Sequence, residues 1–75
     1  MRLKYFPDTD TAYLELTNNE VVETRDINED ILIDIDIEGN LVGMTIEHAQ
    51  IKANLSEFSY QQVIDKNNLT NKLSW

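Results

Sequence analysis

Near the start of the chain Leu3 and Tyr5 alternate with Arg2 and Lys4. The alternation resumes with Ala12, Leu14 and Leu16 against Thr11, Tyr13 and Glu15. Between the two runs, Pro7-Asp8-Thr9-Asp10 carries turn chemistry. A four-residue loop places Tyr5 opposite Ala12, Leu3 opposite Leu14, Arg2 opposite Glu15 and Lys4 opposite Tyr13. Apolar then meets apolar and a base meets an acid, the consistency expected of a hairpin.

Asn18-Asn19 signals a turn, and Val21 to Ile27 reads as a third, more polar strand. Its facing is ambiguous because the adjacent Val21 and Val22 point to opposite sides. Asn28-Glu29-Asp30 turns the chain again. Ile31, Ile33, Ile35 and Ile37 then fall on one face, with Leu32, Asp34 and Asp36 on the other, the strongest strand signal in the chain. After a turn at Gly39-Asn40, Val42, Met44 and Ile46 share a face. Any loop with an even number of residues sets them beside the isoleucines, and a one-residue slip would send the whole set into water. A hairpin with one buried face is predicted, its acids lining the wet side.

Beyond Ala49 the period changes. Ile51, Leu55 and Phe58 stand at i, i+4 and i+7, a helix face. Alternatively, Ser56 caps a short turn and Tyr60 to Ile64 is extended. At least one helical turn covering the open side of the sheet is the preferred reading. The sequence thus predicts a single small domain over residues 1–64, with a sheet over 1–50 and a helix or turn over 51–64. The class is α+β, mainly β: an antiparallel β-meander of four or five strands with a short C-terminal helical segment on its isoleucine face. Residues 65–75 form a polar, asparagine-rich tail expected to fray.

Composition narrows what such a domain does. At 75 residues its core is small, and small scaffolds lean on a disulfide, a metal or a partner. The absence of cysteine removes disulfides, thiolate chemistry and cysteine-based zinc sites. No apolar run approaches the roughly 20 residues that span a bilayer, and the N-terminus lacks the apolar core of a signal peptide, so a cytoplasmic location away from membranes is expected. The net charge is −8. From Asp8 to His48 there are twelve acids and one base, Arg25. Such a surface repels phosphate backbones and attracts a basic protein, so direct nucleic-acid binding is not expected.

Candidate chemistries are weighed against that charge. Asp34-x-Asp36-x-Glu38-Gly39 matches the first half of an EF-hand loop, but Thr45 stands where the bidentate glutamate is required, and the flanks alternate as strands. Asp34 and Asp36, about 7 Å apart along one strand face, have a spacing compatible with paired-carboxylate catalysis, which also needs a cleft and one raised pKa. His48, the only histidine, has no nucleophile motif beside it and reads as a hydrogen-bonded strand-end residue on the apolar side. No enzymatic role, metal or cofactor is predicted. Partner or dimer contacts are assigned to Phe6 and Tyr13 on the second face (joined by Leu32 and Leu41), to the charges of Asp34 and Asp36, and to Leu69, Leu73 and Trp75 in the tail. The cluster around Phe6 reads equally as a second small core.

The order Tyr5-x-Pro7-x-x-Asp10-x-x-Tyr13-Leu14-x-Leu16, Val22-Glu23-Thr24, the isoleucine strand and Glu38-Gly39-Asn40-Leu41-Val42-Gly43-x-x-Ile46-Glu47-x-Ala49 resembles the bacterial family called domain of unknown function 2283. The likeness covers roughly residues 2–50. It implies a small β-meander with no assigned catalytic residues, and an antitoxin-like role suggested by neighbouring toxin genes. The sequence expectation is therefore an acidic interaction module that masks a basic partner such as a toxin. A homodimerising module and an acidic nucleic-acid mimic are the alternatives.

Overall fold

The computed structural model describes residues 1–64. Five strands form one antiparallel sheet: β1 (Arg2–Phe6), β2 (Thr11–Glu15), β3 (Glu23–Asp26), β4 (Ile31–Ile35) and β5 (Leu41–Glu47). A four-residue helix, α1 (Ala49–Lys52), and a 3-10 turn (Leu55–Glu57) follow. The fold is mainly β, as the alternation predicts.

The spatial order is β1-β2-β5-β4-β3. The expected meander is therefore split into two pieces, β1–β2 and β3–β4–β5, and β2 lies against β5 instead of β3. The first hairpin has the predicted register, with Arg2 opposite Glu15, Leu3 opposite Leu14, Lys4 opposite Tyr13 and Tyr5 opposite Ala12. Arg2 and Glu15 also form an ion pair at 3.1 Å. Across the central junction Leu14 pairs with Met44, which pairs in turn with Ile33. One step along, Ala12 pairs with Ile46 and Ile46 with Ile31. These rows set Leu3, Leu14, Met44 and Ile33 on one face, with Tyr5, Ala12, Ile46 and Ile31 beside them.

The second hairpin departs from simple alternation at Val42. Asp34 pairs with Gly43 but Ile35 pairs with Leu41, so Val42 is the extra residue of a β-bulge. The bulge takes Leu41 out of the face expected for it, beside Tyr13, and sets it opposite Ile35. It also ends the strand early. Ile37 falls in the hairpin loop and is 83% exposed, so three isoleucines, not four, line the apolar face.

The loop itself is organised by Asp36, which is buried. Its Oδ1 accepts the Glu38 and Asn40 amides at 3.0 and 2.8 Å. Its Oδ2 accepts Asn19 Nδ2 at 3.0 Å. These hydrogen bonds hold its carboxylate below the usual range, the Asn40 amide first and the Asn19 side chain next. Gly39 takes the left-handed φ of +86° that closes the turn.

On the opposite face, Tyr13 lies across Gly43. A Cβ at position 43 would run into the Tyr13 hydroxyl, come within 2.5 Å of Tyr13 Cζ and stand 3.0 Å from the Leu14 carbonyl oxygen. The bare glycine lets the tyrosine reach over β5 and donate to Asp34 Oδ2 at 2.9 Å. Thr24 donates to the other oxygen of Asp34 at 2.7 Å. One polar chain thus ties β2, β4 and β3 across β5. Partial burial first, and the Asp34 hydrogen bond and charge next, push the Tyr13 phenol up to about 12.

Gly43→Ala is expected to destabilise the sheet by about 1–3 kcal/mol through overpacking, read as a lower urea midpoint. In a Tyr13→Ala background the same substitution should cost much less. Equal costs in both backgrounds would show that Tyr13 is not what excludes a side chain there.

Candidate functional site

The uncharged face of the sheet is the most distinctive surface of the described chain. Among its inward rows, Leu3, Leu14, Met44, Ile33, Ile31 and Ile46 are each half-buried rather than buried. The buried apolar side chains are Ala12, Ile35, Val42 and Ala49. A two-layer domain buries such rows beneath a second layer. Here β1, β2, β5 and β4 contribute no charged side chain to this face, and charge enters only on β3, where Arg25 pairs with Ile33 and Glu23 with Ile35. Arg25 and Glu23 also pair with each other at 2.8 Å.

The expected helical turn forms as α1, which includes Ile51 but does not continue through Leu55 and Phe58. The backbone turns extended at Ala53 (φ −144°, ψ 150°), and α1 ends after four residues. It has no side-chain cap and no acid in its first turn, so little offsets the cost of nucleating a helix. Ile51 is left 81% exposed and Phe58 60%. An open groove is lined by Tyr5 and by residues from Gln50 to Ser56. Asn54, not Ser56, precedes the 3-10 turn, and Ser56 Oγ donates to Asn54 Oδ1 at 2.8 Å. From Phe58 to Ile64 the chain runs on exposed.

Two aspartates from the turns fix where this segment leaves the sheet. Asp10, left-handed at φ 55°, closes the β1–β2 turn. Its carbonyl accepts the Ala49 amide at 2.9 Å, and its Oδ1 accepts the Gln50 amide at 3.2 Å and the Tyr5 hydroxyl at 2.7 Å. Asp30, buried beside the β3–β4 turn, takes His48 Nδ1–H at 2.9 Å on one oxygen and Lys52 Nζ at 3.2 Å on the other. Its backbone carbonyl accepts the Glu47 amide at 2.7 Å. His48 is left-handed (φ 56°), exposed, and caps α1, so it stands outside the apolar face where the alternation would place it. Its bond to Asp30 spans 18 residues. Hydrogen bonding to His48, then to Lys52, lowers the Asp30 pKa, and the same Asp30 bond raises that of His48.

The residues singled out from sequence are distributed unevenly. Tyr13 and Asp34 are brought together, bonded to each other at 2.9 Å. Asp36 is turned inward on loop amides instead of lining a wet face, because the bulge ends the strand before it. Asp34 is likewise half-buried and bonded on both oxygens. Phe6 is exposed at the end of β1, opposite Thr11. Leu69, Leu73 and Trp75 lie outside the described residues. Sequence reasoning passed over Asp10 and Asp30 as ordinary turn acids, since the groups they hold are distant in the chain.

Among the described residues no three His, Cys, Asp or Glu side chains gather as a metal-ligand set, and no helix is long and apolar enough to cross a membrane. What the fold presents is a single-layer antiparallel sheet with one uncharged face, an acidic remainder and a short segment anchored at one end. The chain belongs to the family described as protein of unknown function DUF2283, whose model matches residues 2–50. The match takes in all five strands, both turn aspartates and His48. Comparison with curated proteins and with solved structures finds no match.

The His48–Asp30 pair sets a direction for pH. A raised histidine pKa gives stability that is fully present below the free value of about 6.5 and is lost as pH rises through the higher folded value. Asp30, lowered, contributes above its unfolded pKa and loses that contribution on acidification. His48 ring protons should therefore titrate by NMR with a midpoint above that of free histidine, and Asp30→Asn should bring the midpoint down. A wild-type midpoint at or below the free value would contradict the pairing.

Proposed function

We propose that the protein is a binding module, acting by association and not by catalysis, that lays its uncharged sheet face against another protein surface. The observation that carries this reading is that Leu14, Met44 and Ile33, on the central strands, are only half-buried. Fully burying an aliphatic side chain of this size is worth about 1.5–3 kcal/mol. A lone chain leaves part of that unrealised at these half-buried positions, and association supplies the missing layer.

A second reading concerns the rest of the surface. Asp8, Glu20, Asp26, Glu29 and Glu38 are exposed and, among the described residues, have no ion-pair partner. They lie in loops or on the β3 edge, away from the uncharged rows. These acids favour a basic protein as heterologous partner, the antitoxin-like masking role that the family resemblance implies, and they would speed its encounter at low salt. The two readings use different surfaces and separate by salt. Contacts through acids weaken steeply as salt is added, and contacts through the apolar face do not.

Met44 and Thr45 are neighbours on opposite faces of β5, so a photo-crosslinking residue at each tests the first reading in cells. Adducts from position 44, and few from 45, are expected. Adducts from 45 alone would contradict the use of the apolar face.

A further inference from the structure

We propose that the occupant of the apolar face is a second copy of this chain, with residues 58–64 of each copy closing over the other. This rests on the preceding reading of the face and adds its occupant.

Three observations favour a copy over a different protein. First, a chain of net charge −8 repels itself wherever acids meet. The rows through Leu14 and Met44 are where two copies can touch without that penalty, because their acids lie elsewhere and Glu23 is already neutralised by Arg25. Second, the edges do not invite pairing. β1 carries Arg2 and Lys4 and runs into Pro7, while β3 is the polar run Glu23-Thr24-Arg25-Asp26. Charges and proline on edge strands oppose edge-to-edge addition, so the face is the remaining route. Third, the same chain carries an exposed apolar segment. Phe58 is 60% exposed, Tyr60 80%, Val63 71% and Ile64 63%. In an extended chain Phe58, Tyr60 and Ile64 point to one side.

Size decides that this segment takes part. Five strands about 4.8 Å apart and about five residues long give a flat footprint of about 400 Å², below the roughly 800 Å² that each partner contributes to a stable interface. A buried aromatic side chain adds about 150–250 Å², so Phe58 and Tyr60 make up much of the difference. Seven extended residues reach about 23 Å, the width of the sheet. The clamp of Asp10 and Asp30 on α1 directs the segment from the same end in each copy. Two copies related by a two-fold axis then exchange segments reciprocally, a closed arrangement.

Sedimentation equilibrium over a wide concentration range, on the full chain, tests this. The wild type should reach twice the chain mass. Met44→Glu should weaken the dimer at least tenfold, whereas Thr45→Glu on the other face should not. Because Met44→Glu risks misfolding, the double variant Phe58→Ser, Tyr60→Ser is measured beside it. Those side chains are exposed, so its circular dichroism should match the wild type while its dimer constant weakens at least tenfold. An isotope-filtered NOE between the Met44 methyl of one copy and the Phe58 ring of the other would place the segment directly. A wild type that stays monomeric throughout, or a dimer indifferent to the Phe58/Tyr60 variant, would overturn the proposal. A photo-adduct at position 44 carrying only a different protein would also overturn it, while leaving the face itself as the contact surface.

Discussion

The join at the centre of this sheet depends on the Tyr13 phenol reaching across Gly43. β2 and β5 are distant in sequence, and their pairing joins an N-terminal hairpin to a three-stranded meander. A side chain at position 43 would lift the tyrosine, and with it the bond that reaches Asp34 and Thr24 on the far strands. Glycine weakens a strand on its own account. Here that weakness is offset by an aromatic ring covering the bare backbone and a phenol satisfying a half-buried carboxylate. With the polar face tied in this way, the register is set and the isoleucine rows have only one side to occupy.

That division gives the two faces different roles. The Tyr13 face is closed by its own hydrogen bonds, with Asp34 engaged by two hydroxyls, and Asp36 in the adjoining loop is engaged by loop amides and Asn19. Among the described residues the isoleucine face has no such closure: α1 is only four residues long, and the backbone turns extended at Ala53. The proposed binding surface is therefore not the carboxylates, which first attract attention, but a face defined by the absence of charge. The two turn aspartates add a second constraint, because they fix the end from which the following segment departs.

Much of this was legible in the sequence, for identifiable reasons. The first hairpin followed from alternation plus a four-residue turn, since cross-strand matching on both faces admits one register. The placement of Ile31 and Ile33 beside Ile46 and Met44 followed from the same logic. The Val42 bulge did not, because an extra residue leaves no mark on an alternating pattern. Without it, Ile37 was assigned to the core, Leu41 to the second face and Asp36 to a wet strand. The β2–β5 junction was hidden because strand order is a long-range choice, although Gly43 within an otherwise apolar strand was its local trace. The short C-terminal helical segment was legible and forms as α1 and a 3-10 turn. One helix face running through Ile51, Leu55 and Phe58 does not form, because periodicity describes a face and not how far the chain can propagate it.

The rows through Leu14, Met44 and Ile33 are half-buried in the single chain, and the proposed association would cover them. Solvent paramagnetic relaxation of the Met44 and Ile33 methyl groups measures this directly, with a soluble gadolinium chelate and a series of protein concentrations. Strong relaxation is expected in dilute solution and progressive protection as concentration rises, with the Leu32 methyls on the other face unchanged. Met44 and Ile33 methyls protected equally at every concentration would mean that the lone chain already covers this face, and would contradict the proposed association.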